Sequence, residues 1–166
     1  MDIKTRAIHS SAVFSGCREY RYTLERKFCD CTPGMVNFIM LNPSTATEEF
    51  NDPTVSRCES MTLLKGFGNM VVTNIFAFRA TDPLAMKAKQ GAAIGTENDK
   101  HILEVSKRAD LVVCAWGNHG DFLGRGKAVM AMLQKENIKP YCIKISGIGQ
   151  PVHPLYQKIN SELKAL

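Results

Sequence analysis

Four apolar segments recur along the chain: Val36–Leu41, Met70–Phe76, Leu111–Trp116 and Pro140–Ile145. Each is a continuous run rather than an alternation, the pattern of a strand covered on both faces of a parallel sheet. The stretches between them carry helical spacing. Pro53–Phe67 distributes Val55, Cys58, Met61 and Leu64 around a helix that closes at Gly66 and Gly68. Thr96–Ala109 puts Ile102, Leu103, Val105 and Ala109 on one side, with acidic residues early and Lys107-Arg108 late, as the helix dipole favours. Lys127–Glu136 carries Val129, Met130 and Leu133, and Ile159–Leu166 reads as a short closing helix. Near the start, Ser15-Gly16 separates Ala12-Val13-Phe14 from the alternating run Tyr20–Phe28, a hairpin or a pair of edge strands. Strands alternating with amphipathic helices predict an α/β fold, three-layer α/β/α around a central four-stranded parallel sheet.

Length and composition narrow this to one domain over residues 1–166. The 166 residues suffice for one real core, and 45% hydrophobic with 22% charged residues is an ordinary globular balance. No repeat, linker or apolar run of membrane-spanning length interrupts it. The net charge of +5 suits a polyanionic partner without requiring one. The polar opening Met1–Ser10 has no secretory pattern, so a cytoplasmic chain with reduced thiols is expected. Cys114 and Cys142 lie in apolar runs and serve as small hydrophobes. Cys29 and Cys31, with Cys17 upstream, are open to either a metal site or a structural role; CxC without a second pair favours the structural one.

The candidate chemistry sits where the apolar runs end. Leu41-Asn42-Pro43-Ser44 and Val152-His153-Pro154-Leu155 each follow a strand, at the sheet edge where α/β proteins bind ligands. Asn74 closes another buried run, a costly place for an amide unless it is satisfied. Asn-Pro is also a common turn opener, and His153 could instead cap backbone groups. Asp52, before Pro53, is the expected N-cap of the first helix and a second candidate for activating water.

These strand ends resemble, in order, the motifs of the uracil-DNA glycosylase superfamily. The carrying residues are Ile39-Met40-Leu41-Asn42-Pro43, then Val71-Val72-Thr73-Asn74-Ile75 followed by Arg79, then Val113-Cys114-Ala115-Trp116-Gly117, and finally His153-Pro154. The span, about Val36 to Tyr156, is also similar to a bacterial and phage family known only as a domain of unknown function. The resemblance implies a DNA glycosylase that hydrolyses the bond between deoxyribose and a flipped base. In that reading Asn42 holds the attacking water, with Asp52 as the second possible activator, and His153 donates to the departing base. Asn74 reads the base edge, Ser44 lines the pocket, Phe76 and Trp116 offer stacking faces, and His119 lines the mouth. Thr45, Arg79, Arg125, Lys127 and Lys158 contact phosphates, and Leu155 or Tyr156 occupies the place of the apolar wedge.

One departure bears on substrate. The uracil-specific branch has a Tyr after the first motif that excludes 5-methyl bases; here Ser44 stands in that place, leaving room beside C5. A 5-modified pyrimidine, such as the hypermodified cytosine of phage DNA, is therefore the expected substrate, and defence against phage the expected use. No cofactor is implied, the partner is single- or double-stranded DNA, and a monomer is expected. Two other functions fit the same residues: a glycosidase or transferase for free nucleosides or nucleotides, and a non-catalytic nucleic-acid-binding module.

Overall fold

Strand β4 (Met35–Met40) is the axis of the molecule, because every one of its six residues is buried and helices cover it on both sides. The computed structural model describes residues 3–166; Met1 and Asp2, which open the polar leader, lie outside it. In chain order the strands are β1 (Ile3–Lys4), β2 (His9–Phe14), β3 (Arg21–Lys27), β4, β5 (Phe50–Asn51), β6 (Asn69–Asn74), β7 (Leu111–Cys114), β8 (Tyr141–Cys142) and β9 (Lys164–Ala165). The helices are α1 (Pro53–Leu64), α2 (Pro83–Ala88), α3 (Asn98–Arg108) and α4 (Arg125–Lys135).

The main sheet has seven strands in the order β2-β3-β6-β4-β7-β8-β9, and β1 pairs separately with β5. β4 runs parallel to β6, from Met35 opposite Asn69 to Met40 opposite Asn74, and parallel to β7 on its other side. β8 joins in parallel through one register pair, Val113 opposite Tyr141. β2, β3 and β9 add antiparallel pairings. The sheet is thus mixed: the pairings among β6, β4, β7 and β8 are parallel, and antiparallel strands extend them on both sides. The hairpin β2–β3 extends it on one side, which places β3 inside the sheet rather than at its edge.

Side chains along β4 alternate between two cores. Val36, Phe38 and Met40 pack with Val55, Cys58 and Met61 of α1. Ile39 and Leu41 face Ile102 of α3 with Val129 and Leu133 of α4. Asn37 is the polar exception, and it is satisfied: its Nδ2 donates to Ser106 Oγ at 3.0 Å and its Oδ1 accepts from Thr73 Oγ1 at 3.0 Å.

Three local expectations are corrected. Ile159–Leu166 forms no helix: eight residues nucleate one poorly, and Lys164–Ala165 instead pairs with β8, tied by Leu166 N–H to Pro140 O at 3.0 Å. The run Pro140–Ile145 shortens to Tyr141–Cys142, with an isolated bridge from Ile145 to Pro151 beyond it. Cys29 and Cys31 are joined as a disulfide rather than reduced, while Cys17 is free and exposed. No helix is long and apolar enough to cross a membrane among the described residues.

Candidate functional site

β4, β6 and β7 point their carboxyl ends the same way, and the segments leaving those ends surround one cavity of about 670 Å³. Asn42, just past β4, Asn74, the last residue of β6, Trp116, past β7, and His153, past the Ile145–Pro151 bridge, all line it. So do Asp52, Ser44, Thr45, His119, Leu155 and Tyr156.

The floor is an unsatisfied amide. Asn74 is 1% exposed, and neither its Nδ2 nor its Oδ1 has a hydrogen-bond partner among the described residues. Its backbone is rigidly held: the carbonyl accepts from Asn98 Nδ2 at 2.8 Å, and Met40 is its register partner on β4. A buried donor and a buried acceptor thus stand side by side without partners at a residue that lines the cavity.

Asn42 is oriented by its own donors. Nδ2 gives hydrogen bonds to Pro43 O at 3.1 Å and to Ala80 O at 2.8 Å. Because both partners are carbonyls, the amide nitrogen must lie on that side and Oδ1 is the free end. Asp52 caps α1, with Oδ1 accepting from Val55 N–H at 2.8 Å and Pro53 in the first turn, so the capping expectation holds while the residue also borders the cavity.

His153 caps a short 3-10 turn, Pro154–Tyr156, through Nδ1, which accepts from Leu155 N–H at 3.4 Å. That bond selects the neutral tautomer with its proton on Nε2, a donor. Burial pushes the imidazole below its usual value, and the charge of Asp52 partly offsets this. Gly117 makes the approach of this loop possible. It has φ +73, its N–H donates to Pro151 O at 2.8 Å, and a Cβ there would meet His153 Cβ at 3.3 Å.

Trp116 is 2% exposed, with its Nε1–H donated to Gln150 Oε1 at 2.9 Å and Gly120 packed flush on the indole. It is a wall of the cavity and part of the core at once. At the mouth stand His119, which is exposed, Leu155, and Tyr156, which is 89% exposed.

The sequence places other residues here that the structure sends elsewhere. Phe76 is fully buried among the α3 and α4 core and does not line the cavity, because its side chain turns to the helix layer. Arg125 is 4% exposed; its Nε donates to Ile75 O at 2.7 Å and it is paired with Asp99, so it braces the fold and has no free face for a phosphate. Arg79 lines a neighbouring groove with Arg18, Ser44 and Thr45, its guanidinium 5.0 Å from the Phe14 ring centroid. Lys127 and Lys158 are exposed but outside the cavity.

A model of the family described as "Protein of unknown function (DUF1643)" matches residues 21–155. The chain belongs to the DUF1643 family. No curated protein and no solved structure matches it. The DUF1643 span opens at Arg21 and closes at Leu155, so it takes in every cavity-lining residue named above except Tyr156.

Arg21 is the residue sequence reasoning misses. It begins β3, is 1% exposed, and lines the cavity floor side by side with the strand ends. In an alternating run an Arg is expected on the solvent face. Here both faces of β3 are covered, and a buried guanidinium results. Its Nη1 donates to Ala46 O at 2.8 Å, but Nε has no partner. The nearby Arg26 is neutralised by buried Glu59 at 3.6 Å; among the described residues Arg21 makes no such ion pair. The cavity thus combines a fixed amide edge, a free amide carbonyl, a carboxylate, a neutral imidazole donor and a buried cation. Among the described residues no group of three or more His, Cys, Asp or Glu could hold a metal ion.

Proposed function

We propose that this DUF1643 chain is a DNA glycosylase that hydrolyses the bond between deoxyribose and a flipped pyrimidine carrying a 5-substituent, leaving an abasic site. The observation that carries the reading is Asn74: a buried amide with both polar atoms unpartnered, on the floor of a cavity that Asn42, Asp52 and His153 also line. A buried unsatisfied amide costs about 1–3 kcal/mol per group, and a pyrimidine edge, itself a donor beside an acceptor, is the complement that removes the cost.

The remaining residues take roles their geometry allows. Breaking the C1′–N1 bond leaves its electron pair on the base and positive charge on the sugar. Asn42 Oδ1, free because Nδ2 is tied to the backbone, holds the attacking water. Asp52 uses one oxygen to cap α1 and keeps the other for that water's proton. Neutral His153 donates from Nε2 to the carbonyl oxygen of the departing base, where negative charge collects. Ser44, in a wall position too small to exclude a 5-substituent, admits the modified base. Leu155 and exposed Tyr156 stand at the mouth, where an apolar wedge would fill the gap left in the base stack. Hypermodified phage cytosines are the substrates this wall suits, which would make the reaction a defence against phage.

The buried charge of Arg21 favours one other reading, an enzyme for free nucleotides. Salt separates the two, since DNA binding weakens steeply with salt and nucleotide binding does not. The test is incubation with oligonucleotides carrying different 5-modified pyrimidines, followed by alkaline cleavage at abasic sites. Cleavage at a 5-modified position, lost in N42A and H153A, is the expected result. No cleavage of any modified oligonucleotide would overturn the activity, and far faster cleavage of plain uracil would overturn the 5-modified preference.

A further inference from the structure

We propose that Arg21 is an anion receptor, so that the natural ligand carries an anionic oxygen into the buried part of the cavity. This rests on the cavity being the ligand site, and it adds a charge to the ligand that the glycosylase reading alone does not require.

The argument starts from what surrounds the guanidinium. Arg21 is 1% exposed, its one side-chain hydrogen bond among the described residues goes to a neutral backbone carbonyl, Ala46 O, and its buried Nε has no hydrogen-bond partner there. Burial lowers its pKa to about 10, so it is still a cation at neutral pH. Asp52 is the opposing charge nearest in effect, yet the two make no ion pair, and Arg79 and Arg26 push the other way. A buried cation lacking a hydrogen-bonded carboxylate is expensive to keep. The same strand solves that problem five residues on, where Arg26 is locked to Glu59 and Asn51. Arg21 lacks such a partner among the described residues, and it lines the cavity in which a ligand can supply one.

The position narrows the ligand further. The guanidinium is anchored on Ala46 O, two residues after Ser44, and Arg21, Ser44 and Asn74 line the same cavity. A pyrimidine gripped by Asn74 that bears an anionic 5-substituent satisfies both groups. A phosphate satisfies Arg21 alone.

Isothermal titration of the whole chain with three probes tests this: thymine, 5-carboxyuracil and inorganic phosphate. The first two differ at the 5-substituent alone, a neutral methyl group against a carboxylate. The expected result is 5-carboxyuracil binding about tenfold or more tighter than thymine, with the preference gone in R21Q and reduced in R21K, which keeps the charge but not the fork. Should R21Q not fold, the reduction in R21K decides, and an unchanged preference there overturns the proposal. Phosphate binding that depends on Arg21, without binding of either pyrimidine, sustains the anion receptor and ends the nucleobase reading. Equal binding of thymine and 5-carboxyuracil, with no phosphate binding, overturns the receptor and leaves the nucleobase reading standing. Binding of none of the three overturns both.

Discussion

Replacing Asn74 with Leu separates a side chain kept for a ligand from one kept for the fold. Asn and Leu have similar bulk, so the substitution leaves little void, and the backbone contacts of residue 74 to Asn98 and to β4 do not involve the side chain. The native side chain buries two polar atoms with no partner. Taken as one unsatisfied buried group, the amide costs about 1–3 kcal/mol, and exchange for an apolar group of similar shape removes the penalty. N74L is therefore expected to be more stable than the native chain by about 1–3 kcal/mol, a rise in Tm of about 2–4 °C for each kcal/mol at this chain length. Urea unfolding followed by the fluorescence of the single tryptophan, Trp116, measures the change directly. Pyrimidine binding and base excision should be lost in the same variant. A ligand-binding residue held at a cost to the fold gives that pair of opposite effects. If N74L were instead less stable by more than about 1 kcal/mol, the amide would be a satisfied structural group and the floor of the proposed site would be misread.

Three further outcomes follow from the same geometry. His153 is depressed below 6.5 by burial, so the unfolded chain binds protons more readily than the folded one. Its contribution to stability is complete above pH 6.5 and is lost as the pH falls through the folded value; H153Q should flatten that slope in urea titrations across pH 5–7. Activity should also persist at pH 7–8, since the donor is the neutral ring, and a fall there would mean the charged form acts instead. D52N keeps an acceptor for Val55 N–H and should leave stability nearly unchanged while lowering kcat, whereas D52A loses the cap as well, at about 1 kcal/mol; equal stability of the two variants would contradict the capping role. G117A forces a side chain into a φ of +73 beside His153 and should cost about 1–3 kcal/mol with a loss of turnover, and native-like turnover in that variant would show that the approach of the His153 loop is not critical.

The long parallel strands are legible in the sequence because burial on both faces leaves a continuous apolar signature, as in Met35–Met40 and Met70–Asn74. α1 is equally plain, since Asp52-Pro53 marks its start and Val55, Cys58 and Met61 give its buried stripe. Asp82-Pro83 is the same signal for α2, a helix so short that hydrophobic spacing does not announce it. The C-terminal segment is misjudged for the converse reason: Ile159–Leu166 has helical spacing, but pairing with β8 outweighs so brief a pattern. In the site, strand-end residues such as Asn42 and Asn74 can be found from position alone. Arg21 cannot, because its burial depends on β3 being flanked by both β2 and β6, a fact of topology rather than of local sequence. Phe76 and Arg125 err in the opposite direction: Phe76, just past β6, turns into the helix layer, and Arg125, the first residue of α4, is spent on Ile75 O and Asp99.

Asn74 is fixed within a strand that is paired on both sides, whereas Ser44 and Thr45 hang on the open connection between β4 and β5. Grip and admission are thereby assigned to parts of the chain with unequal freedom to vary. Under the proposed function, exchange of a few loop positions alters what the cavity admits without disturbing the strand that carries Asn74.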